Sequence, residues 1–352
     1  MKIIHTGDIH IGSALSSLPP EKAALRKREI FEGFAALTRY AKENNVSAVV
    51  IAGDLFDENG VAPHWKKETL ACMAAAAPVR FFYVSGNHDN AVELPAPLPE
   101  NVFTFSHEHG WCSYDLGENI TLTGADSRFF PQVFSTPLRL PQAKYNILTL
   151  HGGDEIPLSV IENCGVDYLA LGHIHKPMPK AEKLGFRGVY RYCGCPEARG
   201  FDEVGARGFF LLDIRAGKLV NEKFLSLAKR MVIELRVDIT ACQTYLDVEN
   251  AVMSAAAQIT LENIVKVVLV GNPRAELRKD TSLLCARLCE RFFFAKIEDL
   301  SRVYIHPRAF EHDLTERGEF VREVGRYEMN EDFRAEILEV GLKALSGEEI
   351  DL

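Results

Sequence analysis

Eight side chains able to bind a metal ion lie just beyond predicted strand ends in this sequence. They are Asp8, His10, Asp54, Asn87, His88, His151, His173 and His175. Carboxylate and amide oxygens mixed with imidazole nitrogens suit manganese, iron or zinc, and the set lacks the thiolates typical of structural zinc. Even seven of these eight side chains are too many ligands for one tetrahedral ion. They indicate two ions about 3.5–4 Å apart, bridged by one carboxylate. Such a pair activates a water and holds the oxygens of an in-line displacement at phosphorus, which predicts phosphoester hydrolysis.

A parallel sheet must position the first five of these side chains. Apolar runs at residues 2–5, 46–52 and 79–84 alternate with helical patterns at 20–44 and 63–76. This order predicts a βαβαβ unit with right-handed crossovers. The carboxyl ends of its strands meet at one edge, which is where ligands bind in open α/β sheets.

Later apolar runs predict a second sheet packed on the first. Its strands are expected at residues 102–106, 120–124 and 146–150. A short helix at 157–164 and further strands at 167–171, 188–194 and 207–214 complete this region. Two of these strands end just before His151 and His173, so the remaining histidines reach the same edge. The fold class predicted for this part of the chain is therefore α/β.

The strand and helix pattern restarts in the last third of the chain. Alternating elements are expected at residues 231–239, 243–258, 264–270, 280–291 and 293–299. They predict a small separate α/β domain. A last helix is expected from Glu331 to Leu345, with Asn330 as its N-cap and Phe333 on its apolar face. The predicted domains are residues 1–227, 228–308 and 309–352.

Composition and charge narrow the function classes. The chain has 352 residues and a net charge of −9, and residues 310–352 alone carry −8 of it. A nearly neutral body allows a local basic face, but it argues against strong sequence-independent DNA binding by this chain alone. No apolar run reaches the roughly 18 residues of a membrane span. The amino terminus does not have the form of a signal peptide, and the eight cysteines are expected to be free thiols, so the expected location is the cytoplasm.

The ordered motifs resemble those of the calcineurin-like metallophosphoesterase superfamily. D-x-H, G-D, G-N-H-D, H-G and G-H-x-H occur in that order between residues 1 and about 225. Residues 5–12 and 52–57 resemble the SbcD-type nucleases, and residues 192–197 with 199–203 resemble their YhaO branch of DNA repair exonucleases. The resemblance implies a four-layer sandwich of two mixed sheets flanked by helices, followed by a small α/β cap and a C-terminal helical tail.

The resemblance also implies roles for the matching positions. Asp8, His10 and His175 bind one ion, Asn87, His151 and His173 bind the other, and Asp54 bridges them. His88 protonates the leaving oxygen or stabilises the phosphorane as an unligated imidazole. Asp89 orients His88 or its loop. Cys195 and Arg199 are candidate substrate contacts, although Cys195 replaces the usual Ser or Thr, which leaves a backbone role for that turn.

Three functions follow as hypotheses. The first is a manganese-dependent DNA exo- or endonuclease that works in DNA repair with an SMC-like ATPase on a separate chain. The cap then helps to bind DNA, the tail either docks on the ATPase or packs on the cap, and residues 20–44 are a candidate homodimer contact. The second is a phosphodiesterase or phosphatase for a small nucleotide or another phosphoester. The third is a non-catalytic scaffold that binds a partner through residues 310–352. The native metal and the cleavage polarity stay open at this point.

Overall fold

The structure is a computed structural model of the chain, and its residues form two compact units. The first unit runs from Met1 to Met231 and the second from Val232 to Leu352. The residues that the structure describes are 1–13, 15–57, 61–91, 94–105, 110–153, 156–274, 277–302, 310 and 312–345. Among the helices of these residues, none is both long and apolar enough to cross a lipid bilayer.

The first unit alternates strands and helices along the chain. Its elements are β1 (Lys2–Thr6), α1 (Pro20–Glu43), β2 (Ala48–Ala52), α2 (Pro63–Ala75), β3 (Arg80–Val84), β4 (Val102–Thr104), β5 (Cys112–Gly117), β6 (Ile120–Gly124), α3 (Phe130–Phe134), β7 (Tyr145–Leu150), α4 (Leu158–Ile161), β8 (Tyr168–Leu171), β9 (Glu182–Leu184), β10 (Gly188–Tyr192), β11 (Phe209–Arg215) and β12 (Lys218–Leu225). Short 3₁₀ turns follow β3 and β6.

The first sheet has the strand order β12-β11-β1-β2-β3-β4. Strands β1 to β4 are parallel, and β11 and β12 extend the sheet in antiparallel pairings. Helices α1 and α2 cover one face, where Phe34 and Met73 share an apolar core with Val49 and Phe81 of the sheet. The expected βαβαβ unit is therefore confirmed.

The second sheet has the order β5-β6-β7-β8-β10-β9. Strands β6, β7, β8 and β10 are parallel, and β5 and β9 are antiparallel edges. One face shares an apolar core with the first sheet through residues such as Phe82 and Ile147. The other face lies against α3 and α4, which contribute Phe130 and Ile161. Two mixed sheets flanked by helices are therefore confirmed.

Several elements differ from the prediction. Strands β5, β9 and β12 and helix α3 were not predicted. Strand β12 lies at a sheet edge with half of its residues polar and most of them exposed or half-buried, and β9 and α3 have only three and five residues. Helix α4 covers only four residues of the helix expected at 157–164. The strand expected at 102–106 was assigned to the wrong sheet, because β4 pairs in parallel with β3 at the edge of the first sheet. It ends at Thr104, and residue 106 lies outside the described residues.

Four largely buried charged side chains join α1 to the end of the first unit. The Arg26 guanidinium donates to Glu29 at 2.8 Å and to Glu197 at 2.9 Å. Arg230 donates to Glu29 at 2.6 Å, and the backbone N–H of Lys229 donates to Glu197 at 2.6 Å. Because Arg26, Glu29 and Glu197 are at most 3% exposed, each charge depends on its partners.

The second unit contains a three-stranded parallel sheet and a helical hairpin. Its elements are β13 (Val232–Asp238), α5 (Tyr245–Ala255), β14 (Ile264–Val270), α6 (Thr281–Arg291), β15 (Phe294–Asp299), α7 (Glu316–Val324) and α8 (Glu331–Leu345). Helix α7 was not predicted. The predicted apolar face of α8 was wrong at Phe333, which is 56% exposed, whereas Leu338 and Leu342 pack against α7. The domain boundaries placed at 227/228 and 308/309 stay predictions, and the second lies outside the described residues.

Candidate metal centre

Backbone strain marks the loops that carry the expected ligands. Asp8, His10, Asp54 and His173 have φ between 49° and 73°, the left-handed region that residues other than glycine seldom adopt. Hydrogen bonds between the backbones of the loops hold this conformation. The N–H of Asp8 donates to the carbonyl oxygen of Gly53 at 3.0 Å, and the N–H of His10 donates to the backbone carbonyl oxygen of Asp54 at 2.9 Å. Strain of this kind persists where the surrounding structure fixes it, and it is common at functional sites.

Two glycines let these loops approach each other closely. A Cβ on Gly53, whose φ is +89°, would lie 2.2 Å from Nδ1 of His151. A Cβ on Gly86 would lie 2.1 Å from Oδ1 of Asp54. Any other residue would displace the carboxylate or the imidazole, which explains the glycines in the G-D and G-N-H-D motifs.

The first group of candidate ligands is Asp8, His10 and His175. Their ligand atoms lie within 4.8 Å of one another, and Nε2 of His10 is 3.3 Å from Nε2 of His175. Within the described residues, the buried Oδ2 of Asp8 has no hydrogen-bond partner. Burial raises the pKa of Asp8 to about 7 and lowers that of His10 to about 2. A buried carboxylate oxygen without a donor, beside two imidazoles, fits a divalent cation.

The second group is centred on Asp54. Its Oδ2 lies 3.3 Å from Nε2 of His151 and 3.5 Å from Nε2 of His10, so this carboxylate faces both groups. Oδ1 of Asn87 lies 2.8 Å from Nε2 of His151. Burial works to lower the pKa of His151, but the hydrogen bond and charge of Asp54 outweigh it and raise that pKa to about 9. A carboxylate between two sets of imidazoles is the arrangement that a bridged pair of ions requires.

The last expected ligand, His173, lies beside this second group. Its ring packs edge-on against the His151 ring, with centroids 5.3 Å apart. Its backbone N–H donates to Oδ1 of Asp8 at 2.8 Å, which ties the β8 loop to the β1 loop. All seven expected ligands are therefore gathered at one edge.

His88 lies above the groups and is partly open to solvent. Its side chain is 38% exposed, and its backbone N–H donates to Oδ1 of Asp54 at 3.0 Å. Its Nδ1 lies 3.4 Å from Oδ1 of Asp57, a carboxylate absent from the predicted site residues. The second Asp of Gly53-Asp54-Leu55-Phe56-Asp57 is the signal that could have identified it. A partly exposed imidazole beside a carboxylate suits proton transfer.

Asp89 contacts the loop and not the His88 ring. Its carboxylate accepts backbone N–H groups from Leu55 at 3.1 Å, Phe56 at 2.9 Å and Gly86 at 3.1 Å. The side chain is 2% exposed, and burial raises its pKa to about 7. Of the two roles considered for Asp89, these contacts match the positioning of the loop.

The predicted substrate contacts Cys195 and Arg199 have different surroundings. Cys195 is fully buried, its thiol donates to Glu203 at 3.5 Å, and its backbone N–H donates to the carbonyl oxygen of His175 at 3.0 Å, so these groups already have partners within the protein. Arg199 lies beside the first group, with Nη2 3.0 Å from Nδ1 of His175 and Nη1 3.7 Å from Oδ2 of Asp57. It lines an open cavity of about 350 Å³. Glu203 was not predicted as a site residue and accepts from Nδ1 of His175 at 2.6 Å.

Comparisons with known proteins identify a family and several relatives. The family model described as calcineurin-like phosphoesterase matches residues 1–177. The DNA double-strand break repair protein Mre11 of Methanopyrus kandleri is 27% identical over 272 residues, which are 64% of this chain and 57% of that protein. The uncharacterized metallophosphoesterase YhaO of Bacillus subtilis is 26% identical over 314 residues, 82% of this chain and 71% of the relative. The SbcD subunit of the SbcCD nuclease of Bacillus subtilis is 25% identical over 293 residues, 66% and 71% of the two chains. The chain thus spans little more than half the length of the Mre11 protein.

Proposed function

The chain belongs to the calcineurin-like phosphoesterase family, and from that premise we propose that it is a two-metal phosphodiesterase that cleaves DNA. The observation that carries the proposal is the position of Asp54. Its Oδ2 lies within 3.5 Å of an imidazole from each ligand group. One carboxylate shared between two sets of ligands suits the hydrolysis of a phosphodiester.

The residues gathered at the sheet edge fit two divalent ions. In the proposed assignment, Asp8, His10 and His175 form the first metal position, Asn87, His151 and His173 form the second, and Asp54 bridges them. Imidazole with carboxylate and amide oxygens favours manganese, with iron or zinc as alternatives. When bound, two such ions polarise the phosphoryl oxygens and lower the pKa of a water.

Side chains outside the proposed ligand set are assigned the other roles in the reaction. His88, exposed above the ligands, donates a proton to the leaving oxygen. The carboxylate of Asp57 lies 3.4 Å from Nδ1 of this ring, and we propose that it helps to position the imidazole. Asp89 holds the loop that carries Asn87 and His88, and Arg199 contacts the phosphodiester from the side of His175.

DNA as substrate is supported by the names of the relatives. One is called a DNA double-strand break repair protein and another a nuclease subunit. A subunit has a partner, and we propose an SMC-like ATPase on a separate chain, with helices α7 and α8 as the docking element. Residues 228–308 are proposed to act as a cap that helps to bind DNA. The described cysteines are free thiols, which supports a cytoplasmic location.

A small nucleotide phosphoester is the second candidate substrate. The cavity of about 350 Å³ beside His175 and Arg199 is large enough for one nucleotide-sized group. The same ligands would serve, because the ions that they would hold contact phosphate rather than a base.

Cleavage of end-labelled single- and double-stranded DNA tests the proposal. Wild type and His88→Ala are compared with manganese and then with magnesium, and bound metal is measured in parallel. We expect His88→Ala to keep its metal and lose activity by about 10²–10⁴-fold, the usual contribution of a general acid. Intact DNA together with His88-dependent hydrolysis of bis(p-nitrophenyl) phosphate favours the small substrate. No hydrolysis of either refutes both.

A further inference from the structure

Glu203 is a buried carboxylate beside the candidate metal centre. It is 5% exposed and accepts hydrogen bonds from three donors. These are Nδ1 of His175 at 2.6 Å, the backbone N–H of Arg199 at 2.6 Å and the thiol of Cys195 at 3.5 Å. The Arg199 guanidinium, 3.6 Å away, balances its charge. Three donors from two segments meet at one side chain, which fixes its position as well as theirs.

This carboxylate determines which nitrogen His175 offers to a cation. A carboxylate accepts only, so Nδ1 of His175 carries the proton that Glu203 accepts, and Nε2 is the nitrogen left to bind a cation, with Nη2 of Arg199 3.3 Å away. That Nε2 is the atom that lies 3.3 Å from Nε2 of His10. An acceptor behind a histidine ligand fixes the tautomer, orients the ring and raises the basicity of the ligand nitrogen.

The central histidine of the second group, His151, has a neutral acceptor in the same place. Its Nδ1 lies 3.0 Å from the backbone carbonyl oxygen of Ala52. Oδ1 of Asp8 lies 4.0 Å from the same nitrogen, which is too far for a hydrogen bond. A carboxylate in hydrogen-bond contact polarises an imidazole more strongly than a carbonyl does, because it carries a full charge. The ring of His175 therefore has the stronger acceptor behind it.

We propose that Glu203 is a positioning residue that makes the first metal position, Asp8, His10 and His175, the tighter of the two. The chain then keeps one ion through purification, whereas the second ion exchanges with the solution. This inference rests on the two-metal site of the proposed function. It predicts which metal position fills first, which the identity of the ligands alone does not determine.

Metal binding by the full chain tests the inference without any activity measurement. Metal-free wild type and Glu203→Gln are titrated with Mn²⁺, and the free ion is followed by electron paramagnetic resonance. Manganese retained after gel filtration is counted by mass spectrometry. We expect one retained ion per wild-type chain, and a dissociation constant for the tight position that rises about 10- to 100-fold in Glu203→Gln. The dissociation constant of the weaker position should change by less than about threefold, well below the change expected at the tight position.

Asp202→Asn is the matched control, since this neighbouring carboxylate is exposed. Its titration should match that of the wild type. Thermal unfolding in the presence of a chelator shows whether each variant folds. If Glu203→Gln does not fold, Glu203→Asp is used instead, because its shorter side chain moves the carboxylate away from His175 and should weaken the same metal position. Two equal positions in the wild type, or an unchanged tight position in a folded variant, overturn the inference. A wild type that binds no manganese overturns the two-metal function itself.

Discussion

Asp89 provides the sharpest test of how the centre is assembled. Its oxygens accept three backbone N–H groups, two at Oδ2 from Leu55 and Gly86 and one at Oδ1 from Phe56. Each hydrogen bond to a charged acceptor contributes about 1.5–3 kcal/mol. Single-site losses above about 4–5 kcal/mol are exceptional because loops relax, so we expect Asp89→Ala to lower the free energy of unfolding by about 4 kcal/mol.

Asp89→Asn should have a smaller effect, for a geometric reason. An amide oxygen in the place of Oδ2 keeps two of the acceptors, while the amide nitrogen faces the N–H of Phe56 and loses the third. The expected loss is about 1.5–3 kcal/mol, the contribution of one such bond.

Urea unfolding of the metal-free protein at pH 8 measures both variants, above the pKa of about 7 for Asp89. Circular dichroism in the presence of a chelator removes any contribution of metal binding to stability. His88→Ala is the control from the same loop, and its partly exposed ring should contribute little. A decrease in the free energy of unfolding of less than about 1 kcal/mol is smaller than the contribution of one such bond. If Asp89→Ala shows so small a decrease and still loses activity, Asp89 acts through His88 and the loop-anchoring argument is refuted.

Three further predictions concern the ligand loops and the buried charges. Gly86→Ala should abolish retention of manganese, because its Cβ would lie 2.1 Å from Oδ1 of Asp54, and metal analysis with a melting curve in chelator separates this from unfolding. Glu29→Gln should lower the free energy of unfolding by about 3–5 kcal/mol, as expected for a broken buried ion pair. The exposed Asp115→Asn is its control in urea unfolding and should leave stability nearly unchanged. Burial raises the pKa of Glu29, but its arginine hydrogen bonds outweigh this and lower it below 4.5, so its contribution is present above that pH and lost as pH falls through the lowered value. Unfolding midpoints between about pH 3 and 6 should therefore fall less steeply in Glu29→Gln than in wild type.

Patterns of neighbouring residues predicted the parallel strands and placed the candidate ligands at their ends. Short apolar runs ending in Gly53-Asp54 and Gly86-Asn87-His88 indicate strand ends, and parallel topology brings those ends together without further information. The elements that were missed have weak local signals. Strand β12 is held at an edge by pairing with β11 and not by an apolar pattern.

The supporting carboxylates could not be found in the same way. Glu203 is 28 residues from His175, and Asp57 is 31 residues from His88, so no local spacing links either pair. Their contacts exist only after the strand ends have met. The loop role of Asp89 has the same origin, because its donors come from the neighbouring β2 loop as well as its own.

The buried charges of α1 have a consequence for dividing the chain into fragments. A fragment cut after Ala228 keeps every strand of both large sheets but loses the backbone N–H of Lys229 and the guanidinium of Arg230. Glu29 and Glu197, which are at most 3% exposed in the whole chain, then keep only Arg26 as a charged donor. A fragment that ends at Met231 keeps the whole set. Recombinant expression of the catalytic part should therefore extend six residues beyond Leu225, where its last strand ends.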